Sequence, residues 1–587
     1  MQTCRSLKTK KLDKRPSNSI ERLSPLKMGS ESTLWWTSFA VLLLLFAVTD
    51  ANAVLPTAGG GLEAERTYLV VVTDPHGWFS GHRHNEKFTA DYASLSSFAD
   101  RFRTKAASLK DCEVFMFENG DLVDGGGLTD EKDGKKLVFP ILDDIGFDAR
   151  TVGNHELYVG STIQTLRFPG VFVTSNVVDA KTRKPFGARY KVIPMRRGKD
   201  AGNVLVFGFL YNMASYDSSV AFVETVASAV KSDWFSEALK GTPDVRFVVV
   251  LAHMDYKDAL LKTILSAIRA KTSETLPVVF VTGHTHARRS TYLDPFAFSF
   301  ETGRYLDTIG VLSFPTTKPS SATKMLDVRH DYLDANADVL FNFLGDDEDS
   351  DTETDKARAI RKRLRTVRQQ LELDRVVGYI PVSLSIEVGL DHPLSLVRYW
   401  IQRVAPKSLL NEGTQCPGFF LSGSGNLRYD LLRGPVVVDD LWAVAPFQEG
   451  FKVVRCVPGS ILLDTIARLP TKLMTTSEDT EQVGAVRRPF HPSLPLFVHS
   501  DLKKISKSKS YDLIFGLYES AMVLKFLNEN AKRVQYSAEP FRQSENLSQH
   551  SLWVEYFTSK KYLVEDVVVE VGRNEISEPS QLLVAEQ

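Results

Sequence analysis

Apolar residues along the chain fall into two kinds of pattern. Between residues 68 and 317, short apolar runs alternate with stretches of helical spacing. The runs are YLVVV at 68–72, EVFMF at 113–117, VLVFGFL at 204–210, RFVVVLA at 246–252 and LPVVFVT at 276–282. Unbroken β-branched runs of this length predict strands buried on both faces. Residues 90–105 and 258–270 carry the spacing of helices between them. The pattern predicts an α/β domain whose loops after strand ends are the place for a site.

After Phe343 the pattern changes. Residues 346–355 (DDEDSDTETD) form an acidic run, followed by Ala357, Ile360, Leu364, Val367 and Leu371 at helical spacing. Acids at the start of such a helix and bases within it suit the helix dipole, predicting a solvated loop and a connecting helix. A second α/β pattern runs from Val376 to about Val571, in which residues 511–518 (YDLIFGLY) predict a strand entering a helix. The predicted organisation is a leader at 1–53, a first domain at 54–343, a connector at 344–375, a second domain at 376–571 and a tail at 572–587.

The leader changes how the charge is read. Residues 34–48 are 15 consecutive uncharged, mostly apolar positions, and Ala51-Asn52-Ala53 follows as a small-x-small cleavage signature. This predicts a secretory signal, and hence secretion or an endomembrane lumen such as a vacuole. A span needs about 20 apolar residues, so membrane attachment arises only if the leader stays as an uncleaved anchor. Met28 is an alternative start, and Met28-Gly29 with Thr33 then also fits a myristoylation pattern. The whole chain of 587 residues has a formal charge of −1, yet residues beyond 53 hold 63 bases and 68 acids, a net of −5. Bulk electrostatic binding of a nucleic-acid polymer is excluded by that balance. Of the cysteines beyond the leader, Cys112, Cys416 and Cys456, the pair Cys416–Cys456 is favoured, because Cys112 sits at the edge of a buried run. Asn546-Leu547-Ser548 is the glycosylation sequon.

Five places directly after predicted strands concentrate Asp, Asn and His. They are Asp74-Pro75-His76, Asn119-Gly120-Asp121 with Asp124, Gly153-Asn154-His155-Glu156, His253, and His284-Thr285-His286. One buried histidine is ordinarily a satisfied core residue; five strand ends in a chain with 12 His are not. Carboxylates and imidazoles without thiolate suit Zn, Mn, Fe or Co better than calcium. Two such ions about 3.5–4 Å apart clamp a phosphate and acidify a shared water.

The order DxH, GD, GNHE, H, GHxH resembles the calcineurin-like metallophosphoesterases. The resemblance implies a β-sandwich flanked by helices and two divalent ions. Asp74, His76 and His286 would hold one, Asn154, His253 and His284 the other, and Asp121 would bridge them. His155 would be the catalytic imidazole that protonates the leaving oxygen. Residues 422–447 resemble the second domain of secreted 5′-nucleotidases and sugar-nucleotide hydrolases, which implies an α/β C-terminal domain of 5′-nucleotidase type. There Arg428 would contact substrate and Phe447 would stack on a base.

The chain departs from that family in several places. Gly423 stands where the family has Asn, and no Gly-Gly-Asp loop carries a second stacking aromatic. Tyr518 is the nearest replacement, with a core role favoured. Tyr158 occupies the place of the Asp that orients the catalytic His; instead Asp121-Leu122-Val123-Asp124 resembles the Ser/Thr phosphatase GDxVD, so Asp124 is expected to pair with His155. That branch follows GDxVD with an Arg, whereas Gly125-Gly126-Gly127 stands here and leaves room for a ligand to approach the backbone. With Trp78, His82 and His84 after the first motif, expected to lie over the rim of the site, the mixture resembles a microbial-eukaryote 5′-nucleotidase branch. The expectation is a secreted two-metal phosphohydrolase acting on a small phosphorylated substrate, a nucleotide in the first instance. Phosphodiester or phosphoprotein hydrolysis on the same site is the alternative, and a degenerate binding protein the alternative of another class.

Overall fold

The computed structural model describes residues 61–166, 168, 170–197, 201–345, 353–410, 413–469, 497–531, 534–541 and 547–559. The predicted leader, the acidic residues 346–352, Asn546 of the sequon and the tail lie outside the described residues.

Two sheets stack face to face in the first domain. One runs Arg329–Asp334, Thr308–Pro315, Arg66–Val72, Glu113–Glu118, Ala149–Arg150. The other runs Arg288–Asp294, Ala297–Thr302, Val278–Thr282, Val245–His253, Asn203–Leu210, Tyr190–Pro194. The five strands read from the apolar runs form parallel ladders within these sheets, extended in parallel by Ala149–Arg150 and Ala297–Thr302 and flanked antiparallel by Thr308–Pro315 and Tyr190–Pro194. Their continuous apolarity has a direct cause: alternate residues enter two different cores. Leu69, Val71, Phe117, Val249 and Val281 fill the space between the sheets. Val70, Val72, Val114 and Met116 face helices on the outside of the first sheet. Leu205, Val248, Val250 and Phe280 face helices on the outside of the second.

Helix Tyr92–Ser108 lies on the outside of the first sheet, capped by Asp91, whose side chain accepts the Ser94 N–H. Helix Ala259–Arg269 lies on the outside of the second, capped by Asp258. The four strands between Arg288 and Asp334 did not stand out in the sequence. Strand Arg288–Asp294 is half-buried throughout, and Thr308–Pro315 is interrupted by Gly310 and Ser313, so neither gives a clean run.

The connecting helix is Asp355–Gln370, with Ala357, Ile360, Leu364 and Val367 buried, and it is capped by Thr354. It packs into the same cluster as Phe98, Phe102 and Val138. Arg361 pairs with Asp91 at 2.8 Å, and Lys356 donates to the Ile145 carbonyl at 3.1 Å. The connector is therefore built into the first domain.

In the second domain a five-stranded sheet has the order Phe497–His499, Gly418–Gly423, Ser510–Gly516, Phe451–Pro458, Glu539–Pro540. Its faces pack against two separate clusters, around Trp400 and Trp553 and around Leu462 and Leu527. The predicted strand entering a helix is Ser510–Gly516 followed by Ser520–Ala531. Tyr518, expected in the core, lies in the turn between them and is 70% exposed. The turn lifts its ring off the sheet. Cys416 and Cys456 form a disulfide with Cα atoms 5.5 Å apart, while Cys112 is buried and reduced.

Asp512 fastens this bridged corner. Its carboxylate accepts the Gln415 N–H at 2.7 Å, the Cys456 N–H at 2.9 Å and the Arg455 guanidinium at 2.8 Å. Burial opposes its charge, but these donors outweigh burial and hold its pKa below the ordinary 3.8. A depressed carboxylate stabilises the fold above its unfolded pKa and loses that contribution as pH falls through the folded value. Asp512→Asn is expected to cost roughly 1–3 kcal/mol at pH 7, read as a lower Tm. The gap from wild type should narrow below about pH 4.

Candidate active site

All the predicted site residues of the first domain lie at or just beyond the C-terminal ends of strands that pair in parallel. Arg66–Val72 leads to Asp74 and His76, Glu113–Glu118 to Asp121 and Asp124, and Ala149–Arg150 to Asn154 and His155. Val245–His253 ends on His253, and Val278–Thr282 leads to His284 and His286. Stacking the two sheets brings the five loops together over the sandwich. Six of these residues hold positive φ: Asp74 at 52°, His76 at 44°, Asp121 at 58°, Asp124 at 66°, His284 at 77° and His286 at 62°. Such backbone costs on the order of 1–3 kcal/mol per residue and persists only where the surroundings enforce it.

Two groups of donor atoms result. Asp74, His76, Asp121 and His286 bring ligand atoms within 4.8 Å of one another, and so do Asp121, His253 and His284. Asn154 joins the second group, its Oδ1 3.2 Å from His253 Nε2. His76 Nδ1 donates to the Val123 carbonyl and His253 Nδ1 to the Asn119 carbonyl, each at 2.7 Å. Those bonds fix the tautomer and turn both Nε2 lone pairs inward. Inside, His76 Nε2 is 3.2 Å from His286 Nε2, and His253 Nε2 is 3.1 Å from Asp121 Oδ2, a buried oxygen without a well-formed hydrogen bond. Electron-rich atoms crowd together with too few protons between them. A cation resolves that crowding, so the residues fit divalent metal.

The titration of three histidines agrees with a ligand set, whereas for His253 burial is outweighed by Asp121 and Asp74, which raise it to about 10. Burial, with the neighbouring His155, holds His76 well below 6.5, and burial with Arg304 does the same to His286. Burial and His253 lower His284 to about 4. These imidazoles are neutral, the form that donates to metal. Burial alone would raise Asp121, but His253 and His155 outweigh it and keep it well below the carboxylate range.

Buried carboxylates outside the ligand set hold the loops in place. Glu156 accepts the N–H groups of Asp121 at 3.1 Å, Leu122 at 2.6 Å and Gly153 at 2.6 Å, tying two ligand loops together. Burial, then repulsion from Asp121, pushes its pKa up to about 7. Glu301 accepts the Thr285 hydroxyl at 2.7 Å and the Ala287 N–H at 3.1 Å, which shapes the loop of His284 and His286. Tyr305 packs its ring 5.4 Å from that of His76 and 5.6 Å from that of His286, and its N–H donates to the Asp74 carbonyl at 2.8 Å. Glu156 ends a motif that the sequence does display. Glu301 and Tyr305 lie 15 or more residues beyond any motif, and no sequence signal points to them.

His155 lies beside the ligand groups with its Nε2 4.0 Å from Asp121 Oδ2. Its Nδ1 is 2.7 Å from Asp124 Oδ2. Burial opposes charge on His155, but Asp121 and Asp124 outweigh it and raise its pKa above 6.5. Tyr158 accepts a hydrogen bond from Asn154 Nδ2 at 3.1 Å, so it braces a ligand-group side chain. From the second domain, the Phe447 ring lies 6.4 Å from the His155 ring at 25°, and the Arg428 guanidinium sits 5.8 Å from the Phe447 ring. The Tyr305 hydroxyl donates to the Arg428 carbonyl at 3.3 Å. Trp78, His82 and His84 meet protein at this joint. His82 stacks on Trp78 at 4.3 Å and bonds the Tyr305 carbonyl at 2.7 Å and the Tyr429 hydroxyl at 3.1 Å, while His84 Nε2 is 3.6 Å from Asp440.

Glu156→Gln keeps the shape but puts an amide N–H₂ in place of one acceptor oxygen, facing at least one of the three backbone donors. It is expected to destabilise by about 1–3 kcal/mol and to lower bound metal, measured by thermal unfolding and elemental analysis. Unchanged metal content would contradict the role given to Glu156.

Comparisons with known proteins agree with this architecture. Residues 387–514 match the family model described as NAD nucleotidase, C-terminal domain. A protein of Arthroderma benhamiae named "Secreted protein" is 27% identical over 472 residues, covering 72% of this chain and 70% of the relative. A 5′-nucleotidase crystal structure from Candida albicans has a TM-score of 0.76 at 23% identity, covering 86% of this chain and 100% of that one. A 5′-nucleotidase precursor from Thermus thermophilus has a TM-score of 0.59 at 16% identity, covering 84% and 96%. Both domains of the chain thus share the fold of these 5′-nucleotidase structures, and the second matches the NAD nucleotidase C-terminal domain model.

Proposed function

We propose that this protein is a secreted two-metal phosphohydrolase that cleaves the phosphoester of a nucleotide or a related small molecule. The observation that carries the reading is a convergence. An imidazole backed by a carboxylate, His155 with Asp124, stands between two groups of metal-ligating atoms and an aromatic–guanidinium pair from the second domain. Asp74, His76 and His286 would hold one ion, Asn154, His253 and His284 the other, with Asp121 shared. Ions of this kind polarise a phosphoryl group and acidify a water. The chain's own residues supply the rest.

Asp124 fixes the His155 ring through Nδ1, which leaves Nε2 directed into the site. Protonated Nε2 can deliver its proton to the departing alkoxide, worth about 10²–10⁴ in rate for a positioned acid. Arg428 presents a planar cation beside His155 and the imidazoles, suited to phosphate oxygens. Phe447 offers a flat apolar face next to the reacting centre, suited to a base or another planar group. Among the described residues no helix is long and apolar enough to cross a membrane. Secretion is supported by the leader pattern and by the name of the Arthroderma relative.

A panel of nucleoside mono- and diphosphates, sugar nucleotides, cyclic nucleotides and phosphopeptides tests the substrate class. Turnover of the nucleotides is expected; hydrolysis of phosphopeptides alone would overturn the assignment. Asp124→Asn is expected to lower kcat about 100-fold or more while metal content stays at the wild-type level. Wild-type turnover in that variant would remove Asp124 from the mechanism.

A further inference from the structure

Three consecutive glycines follow Asp124, in the place where the sequence suggested room for a ligand. The chain itself fills that room. A Cβ on Gly125 would strike His76, and one on Gly126 would stand 2.7 Å from the Gly77 carbonyl oxygen. One on Gly127 would stand 2.5 Å from Leu373 Cδ2 and 2.9 Å from Trp442 Cδ1. The turn is pressed between a metal-ligand loop on one side and the second domain on the other.

Carboxylates hold the turn at both ends. Asp130 accepts the N–H groups of Asp124 at 3.1 Å and Gly125 at 2.6 Å. At the far end Asp439, on helix Val438–Val444 of the second domain, accepts the Gly127 N–H at 2.8 Å through Oδ1. Its Oδ2 accepts Arg368 at 2.6 Å, and Arg368 is anchored on the helix built into the first domain, where it also pairs with Asp374 at 2.6 Å. Neighbouring contacts add to the seat. Trp442 Nε1 donates to Glu131 at 3.1 Å, Gln448 Nε2 donates to the Asp130 carbonyl at 2.7 Å, and Val438 and Trp442 belong to the buried cluster of the first domain. A cavity of about 650 Å³, lined in part by Gly126, Arg368 and Asp439, adjoins the turn. Glycine backbone beside open space moves readily once its hydrogen bond is lost.

We propose that Asp439 is a positioning residue for the His155–Asp124 pair: it seats the second domain on the turn at 125–127 and so fixes the carboxylate that aims His155. The second domain then contributes twice, with Arg428 and Phe447 at the substrate and with Asp439 behind the acid. The inference rests on the reading of His155 as proton donor to the leaving group.

The test compares Asp439→Ala and Asp439→Asn with wild type, all loaded with metal. Two substrates are used, a nucleoside 5′-monophosphate and an aryl phosphate whose phenol is strongly acidic. An alkoxide leaving group needs the proton; an acidic phenol does not. Asp439→Ala is expected to lose about tenfold or more in kcat on the alkyl ester and less than about threefold on the aryl ester, with metal content unchanged. Asp439→Asn, which retains an acceptor for the Gly127 N–H, should recover part of the alkyl-ester loss. The losses from Asp439→Ala and Asp124→Asn should fall short of additive in the double variant. Hydrogen exchange at residues 124–131 should quicken in Asp439→Ala. Equal losses on both esters, additive losses, or unchanged exchange would each overturn the proposal. A wild-type protein inactive on both esters would instead overturn the phosphohydrolase reading and with it the purpose of the device. Exchange would still decide whether Asp439 holds the turn.

Discussion

Two loops cross over the top of the sandwich, and the site depends on how closely they pass. A Cβ on Gly120, which has φ of 85°, would collide with the backbone at Gly153. Only glycine at both positions lets the loop of Asp121 lie against the loop of Asn154 and His155. Glu156 then binds three N–H groups from both sides of the crossing. With the crossing fixed, the Asp121 carboxylate reaches both groups of donor atoms, and His155 comes within reach of Asp124. The left-handed backbone of six site residues is the cost of this convergence, and buried hydrogen bonds hold it there.

The joint between the domains is the second organising feature. On one flank Trp78, His82 and Tyr305 pack with Tyr429, the Tyr305 hydroxyl holds the Arg428 carbonyl, and the Arg428 charge is felt by His76 and His286. On the other flank Asp439, Trp442 and Gln448 grip the loop that follows Asp124. Helix Asp355–Gln370, which in sequence resembles a tether, is buried along one face in the first core and presents Arg368 to the joint. Residues beyond 53 carry a net charge of −5, which repels anions at long range. On the proposed reading, capture of a phosphorylated substrate falls to local positive charge, of which Arg428 is the part the second domain would supply.

Much of the first domain was legible because its strands are buried on both faces. Such strands write unbroken apolar runs, and the loops after them must carry polar residues for a reason. Strands Arg288–Asp294 and Thr308–Pro315 were not legible: the first is half-buried and the second is broken by Gly310 and Ser313, so their periodicity is weak. Tyr518 shows the opposite failure. An aromatic two residues beyond an apolar strand suggests core, but the turn at 517–519 carries it to the surface. His82 and His84 suggested a rim over the site, yet their partners are Tyr429 and Asp440 of the second domain, contacts hundreds of residues away in sequence.

The sequence by itself determined the class of chemistry. Aspartate, asparagine and histidine placed directly after buried strands have few uses other than metal, and their types and order are local information. It also determined the two α/β domains, because apolar period follows from burial one strand at a time. The tertiary structure decided what depends on two distant segments meeting. Glu301 and Tyr305 behind the histidine ligands, Asp130 and Asp439 at the ends of the glycine turn, and the filling of that turn by His76 and Trp442 are all of this kind. Three glycines in a row specify that something comes close. Whether the visitor is a ligand or the protein's own second domain is settled only by where residues 438–448 fall when the chain is packed.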